Sequence, residues 1–183
     1  MSNKKINRII MLILSFFTLI RIYLQVKLPL YLQAGAGFDD FLLVRYARTI
    51  LAGRWLGSFD TKTLAKGVSY PIYLAINYVL GIPYSFALII TYILAIILFI
   101  IVIKKYFKHK NYLYLIYLVL LYSPVMFHIE NGQKIYRGGV IVSFSLIVIS
   151  AMIGIYNSKS EKIKKLAVYS IIAALSLPFF YYL

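Results

Sequence analysis

"IPYSFALIITYILAIILFIIVI", residues 82–103, decides the fold: 22 residues pass without one charged side chain. At 1.5 Å per residue a helix of that length reaches about 33 Å, enough for a hydrocarbon core of roughly 30 Å. The run has none of the period-two alternation of a barrel strand, so the crossing element is a helix.

Working outward, four more apolar stretches cover 9–28, 112–128, 139–156 and 166–183. The first is interrupted by Arg21 and Lys27, and the last three sit at the short end of the crossing range. The whole chain is 62% hydrophobic and 14% charged, with mean hydropathy +0.85. A soluble chain of 21.1 kDa has too little interior to hide that much apolar surface. The 18 Tyr side chains suit a membrane–water boundary. The expected fold is therefore all-α: a polytopic transmembrane helical bundle of about five spans, forming one integral membrane domain over 1–183. Residues 30–81 form its extracytoplasmic loop, with two short amphipathic juxtamembrane helices.

The net charge of +15 raises nucleic acid as a partner. A nucleic-acid site gathers its basic residues on one face, whereas here they form short clusters between apolar spans. Eleven of the 20 basic residues lie in three such clusters: Lys4, Lys5, Arg8; Lys104, Lys105, Lys108, Lys110; and Lys159, Lys162, Lys164, Lys165. Five alternating spans put all three on one side, the cytoplasm by the positive-inside rule, with the N-terminus. The expected partner is membrane lipid, and nucleic acid is set aside. Ala34-Gly35-Ala36 leaves open a cleaved signal peptide, against which stand the length of the first run and its two internal cations. The last span stops flush with Leu183, which reads as the front part of something longer. With no Cys, disulfides, thiolate catalysis and soft zinc sites are excluded.

The outer loop holds the candidate chemistry. Of five acidic residues, two are adjacent, Asp39 and Asp40 in "AGAGFDDFLLVRYARTILAGRWLG". Gly35 and Gly37 permit a turn, Asp39 caps a helix running to about Ala52, and Gly53 stops it. Adjacent residues diverge on a helix, so one carboxylate of the pair can face a site while the other caps. The apolar stripe Leu42, Tyr46, Thr49 with Leu43, Ala47 and Ile50 suits the membrane surface or the bundle top. Arg45 and Arg48 share a face that suits a phosphate. "SFDTKTLAKGVSYPIYLAINYVLG" reads as a polar loop holding Lys66, then a helix over 71–80 lying along the outer surface. Pro71 fits its first turn. Arg21, deep in the first span, must snorkel or pair, with Asp39, Asp40 or a lipid phosphate as partners. Glu130, Tyr136 and Arg137 form a second outer cluster able to fold over the first. His109 and His128 have no spacing partner for a metal.

The order of FDD, R-x-x-R, G-R-W-L-G, T-L-x-K-G-x-x-Y-P and then further spans resembles the front end of polytopic bacterial glycosyltransferases of the GT-C type, over about residues 9–150. That resemblance implies an enzyme in a bacterial plasma membrane taking a sugar from a polyprenyl-phosphate carrier to an acceptor at the outer face. It implies Asp39 or Asp40 as catalytic base, and Arg45, Arg48, Lys66, Arg137 and Arg21 as holders of the carrier phosphate. No cofactor is firmly implied; a divalent cation beside the carboxylate is compatible with the chemistry. The departure is size, since such enzymes carry many more spans. Two other readings stay open: a non-catalytic component needing a partner membrane protein, and a small transporter, for which Arg21 is the single mid-membrane polar candidate.

Overall fold

The computed structural model of the chain describes residues 3–32, 40–58, 67–158 and 163–181. The described residues are helical from end to end of the bundle. Helix α1 covers Asn3–Lys27, α2 Asp40–Leu51, α3 Ser69–Val79, α4 Tyr84–Ile103, α5 Lys110–Leu121, α6 Pro124–Phe127, α7 Ile129–Gly132, α8 Arg137–Ser158 and α9 Ile163–Tyr181.

Four stretches of the described residues are long and apolar enough to cross a membrane: Lys5–Lys27, Tyr84–Tyr106, Lys110–Phe127 and Arg137–Ser158. Their outward faces carry large apolar side chains such as Leu12 (71% exposed), Val119 (63%) and Met152 (63%). Contiguous exposure on that scale is incompatible with water and natural in lipid. The third crossing is not the unbroken helix expected over 112–128. Pro124 lacks the N–H that the ladder needs, so α5 ends at Leu121 and the chain turns through α6 and α7.

Helix α4 is the hub. Leu88, Ile89, Tyr92 and Ile96 are buried on it, with Leu121, Met126 and Val140 arriving from α5, α6 and α8. It packs along α8, against α1 and α5, and at its start against α3. Helix α9 lies along α8, where Gly154 lets the helices close: a methyl group there would run into the Tyr169 ring. The other close approach is at the start of α8. Gly139 faces the backbone carbonyl of Asn131, leaving no room for a side chain, so α7 rests directly on α8.

Two short helices, α2 and α3, lie between the first two long apolar ones. Gly53, at φ +70°, ends the first turn beyond α2, and Gly81, at φ +66°, does the same after α3. The stripe on α2 faces protein rather than the bilayer surface: Leu42, Leu43, Tyr46 and Ala47 are buried, and α2 packs on α3. The C-terminal ends of α1 and α5 and the N-terminal ends of α4 and α8 meet at the same end of the bundle as α2. That meeting point is the candidate site.

Candidate functional site

The site rests on a polar ladder along α1. Arg21 is fully buried, and its guanidinium spends its donors on protein acceptors: Nε to the Leu121 carbonyl at 3.2 Å, Nη1 to Gln25 Oε1 at 3.1 Å and Nη2 to the Met126 carbonyl at 3.4 Å. The guanidinium plane also sits 4.0 Å from the centre of the Phe127 ring. Leu121 ends α5, where carbonyls have no partner in the helix and a cation is favoured. One turn further along α1, the buried Gln25 amide donates to the Gly132 carbonyl. A planar fork on one helix thus fixes the whole 121–132 corner.

That corner brings the charged groups together. After α1, the Tyr31 N–H donates to the Gln133 carbonyl at 3.1 Å and the Ile135 N–H to the Tyr31 carbonyl at 3.0 Å, an isolated parallel bridge between Tyr31 and Lys134. The Lys134 ammonium lies 3.2 Å from Glu130 Oε2 and 3.5 Å from Asp40 Oδ2. Tyr31 donates its hydroxyl to Glu130 Oε1 at 3.1 Å. Lys134 and Arg137 both sit over the Tyr136 ring, at 5.0 and 5.4 Å from its centre. Underneath, the Tyr70 hydroxyl donates to the Tyr84 hydroxyl at 3.2 Å. Tyr84 in turn shares its proton between the carbonyls of Tyr136 (3.2 Å) and Lys134 (3.4 Å).

The electrostatics follow from this packing. The hydrogen bond from Lys134 holds the Glu130 carboxyl below its ordinary range, against partial desolvation, with Tyr31 adding to the effect. Desolvation pulls the Lys134 ammonium down, but Glu130 and Asp40 outweigh it, and the net shift is upward. Burial pushes the Tyr70 phenol well up, reinforced by Tyr84, Tyr73 and the Asp40 charge. Asp40 is 0% exposed. A carboxylate so buried is tolerable as an anion because an ammonium lies beside it.

Asp40 is the first residue of α2, where the helix dipole also favours a negative charge. Asp39 and Lys66 lie outside the described residues. Glu130 is linked to Asp40 through Lys134, whose ammonium also lies near the Tyr136 ring. Arg45 is half-buried with its guanidinium 5.6 Å from the Tyr46 ring centre, and Arg48 is exposed. Arg21 departs from expectation. It neither snorkels nor meets a described carboxylate, because backbone carbonyls at the broken end of α5 supply its partners from within the bundle. It is sealed from lipid phosphate, so a direct hold on a carrier is not its role in this conformation. Among the described residues, no group of three or more His, Asp or Glu side chains converges as a cation site.

Sequence reasoning missed Lys134 as the centre of the cluster and Tyr31 and Tyr70 as its walls. The four-residue spacing of Glu130 and Lys134 was a usable signal for the first. Nothing local marks Tyr31, whose place depends on a bridge to a segment about a hundred residues away. Protein-family models, curated proteins and solved structures give no match to this chain. The fold and the site define a polytopic helical membrane protein with a cluster of charged side chains, built on the buried Asp40–Lys134 pair, at one end of its bundle.

Proposed function

We propose that this chain is a glycosyltransferase-type membrane protein, using a polyprenyl-phosphate sugar and working at the outer face of a bacterial plasma membrane, with Asp40 as the base. In this reading α9 is the fifth span and the N-terminus is cytoplasmic. The resemblance in the outer loop supplies the substrate class. The observation that carries the site is the fully buried Asp40 carboxylate held 3.5 Å from the Lys134 ammonium.

The chemistry needs a carboxylate and a cation that can part company. The carrier phosphate, entering beside Arg137, competes for Lys134 and draws its ammonium away from Asp40. The freed carboxylate takes the proton of the acceptor hydroxyl. The acceptor oxygen then forms its bond to the anomeric carbon as the bond from that carbon to the phosphate oxygen breaks, and polyprenyl phosphate leaves with the electron pair. Lys134 and Arg137 stabilise the charge growing on the leaving phosphate. Arg21 holds the frame and takes no part in the transfer. A divalent cation, where used, would sit with the phosphate.

The test is transfer of a radiolabelled sugar from polyprenyl phosphate in membranes containing the full chain. Wild-type turnover with loss in Asp40→Asn supports the proposal. Undiminished turnover in Asp40→Asn sinks it, and loss confined to Asp39→Asn would assign the base to Asp39.

A second reading is favoured by the same 0% exposure of Asp40. The pair would then be a clasp fastening the outer helices, and the chain a non-catalytic component that works with a partner membrane protein. It predicts that Asp40→Asn changes folding or partner retention while transfer by the assembled complex survives.

A further inference from the structure

At the end of the bundle away from the Asp40–Lys134 cluster, α1, α4 and α5 do not close on one another. They leave an open groove of about 700 Å³. Its walls are apolar, with Leu14, Ile97, Ile101 and Leu113 among them. At one end stand Lys104 and Lys110, both exposed. At the other, Thr18 donates to the Leu14 carbonyl at 2.8 Å and its hydroxyl lies 2.7 Å from that of Tyr117, closing the floor.

The dimensions single out an occupant. Along α4 the groove runs from Lys104 to Ile93, about 16 Å at 1.5 Å per residue. One leaflet of a hydrocarbon core roughly 30 Å thick is about 15 Å deep. The groove is therefore one monolayer long, apolar for that whole length and cationic at its polar end. The described carboxylates, Asp40 and Glu130, lie at the opposite end of the bundle. The volume is that of a small-molecule site.

We propose that this groove is a binding site for an anionic glycerophospholipid of the leaflet that faces the lysine clusters. One acyl chain lies between α1 and α4 with its methyl end at the Thr18–Tyr117 pair. The phosphate and anionic headgroup sit between Lys104 and Lys110. The site is independent of the sugar-transfer reading, since it shares no residue with the cluster around Asp40.

Native mass spectrometry of the full chain, released from micelles with equal amounts of phosphatidylglycerol and phosphatidylcholine, tests it. Each lysine near an anionic headgroup contributes a factor of about five, so retention of phosphatidylglycerol over phosphatidylcholine by about tenfold or more is expected. Lys104→Gln/Lys110→Gln brings the ratio to about twofold or less, while Lys105→Gln/Lys108→Gln, removing equal charge outside the groove, leaves most of it. Ile97→Trp, which fills the groove, lowers retention of both lipids. Equal retention of the two lipids by the wild type overturns the proposal. So does equal loss in the two double variants, which would assign the preference to diffuse charge. A disulfide-linked dimer of Ile101→Cys formed on oxidation, with no lipid retained by the wild type, overturns it in favour of a second copy of the chain.

Discussion

The Lys134 ammonium joins the first residue of α2, Asp40, to the turn ahead of α8, with 3.5 Å between nitrogen and carboxylate oxygen. Two segments far apart in sequence are thereby fastened at one end of the bundle. The same lysine also holds Glu130 at 3.2 Å, on its exposed side. One cation thus serves a buried anion and a solvated one, and the two attachments carry very different energies.

Lys134→Met leaves the Asp40 carboxyl buried without its ammonium. A loss of roughly 3 kcal/mol in stability is expected, the usual scale for breaking a buried pair from one side. Asp40→Asn/Lys134→Met removes both charges and recovers most of that loss. Thermal unfolding in micelles, followed by circular dichroism, measures both.

Arg21→Leu strips donors from the Leu121 and Met126 carbonyls and from the Gln25 amide oxygen, and costs about 2 kcal/mol or more, since buried acceptors are left unsatisfied. Arg21→Lys does not restore the wild-type melting temperature. A single ammonium cannot reproduce the planar fork that reaches two carbonyls and an amide while lying on Phe127. A melting temperature equal to wild type in Arg21→Lys would mean that the charge alone matters.

Gly139→Ala drives a methyl group into the Asn131 backbone, which cannot rotate away, and separates α7 from α8. Overpacking of this kind costs about 1–3 kcal/mol. Because α7 carries Glu130, the substitution also disturbs the cluster. Gly154→Ala meets an aromatic ring instead, and Gly154→Ala/Tyr169→Leu is expected to fold better than Gly154→Ala alone. Comparing melting temperatures of the three variants checks the order.

The salt cluster sets the pH window. The Glu130 carboxyl lies below its ordinary 4.5, so its contribution is complete above that value and is lost as pH falls through the lowered one. The Lys134 ammonium lies above its ordinary 10.5, so its contribution is complete below that value and is lost as pH rises through the raised one. The melting-temperature gap between wild type and Glu130→Gln is therefore flat across the neutral range. It closes as pH falls below 4.5 and through the lowered Glu130 value.

Helix α4 was legible because a charge-free run of membrane length admits one physical solution. The short helices α2 and α3 were legible from Gly53, Pro71 and Gly81, residues whose local chemistry starts or stops a helix wherever they sit. The site was legible only by halves. Asp40 stood out as rare acidity in a basic chain, whereas Lys134 looked like one more loop cation until the corner at 121–132 delivered it. That corner depends on Arg21, whose carbonyl partners exist only because Pro124 breaks a helix about a hundred residues away. Tertiary placement of that kind leaves no periodicity or spacing for a reader of the sequence to find.

The central claim is that Asp40 performs chemistry and does more than fasten α2. The most direct measurement is sugar transfer from polyprenyl phosphate by wild type, Asp40→Asn, and Asp40→Asn/Lys134→Met, each checked to melt as a folded protein. Loss of a general base lowers turnover by about a hundredfold or more. The account predicts that loss in both variants, including the double variant in which stability has been recovered. Turnover that returns with stability in the double variant would contradict it, and would leave the pair as a clasp.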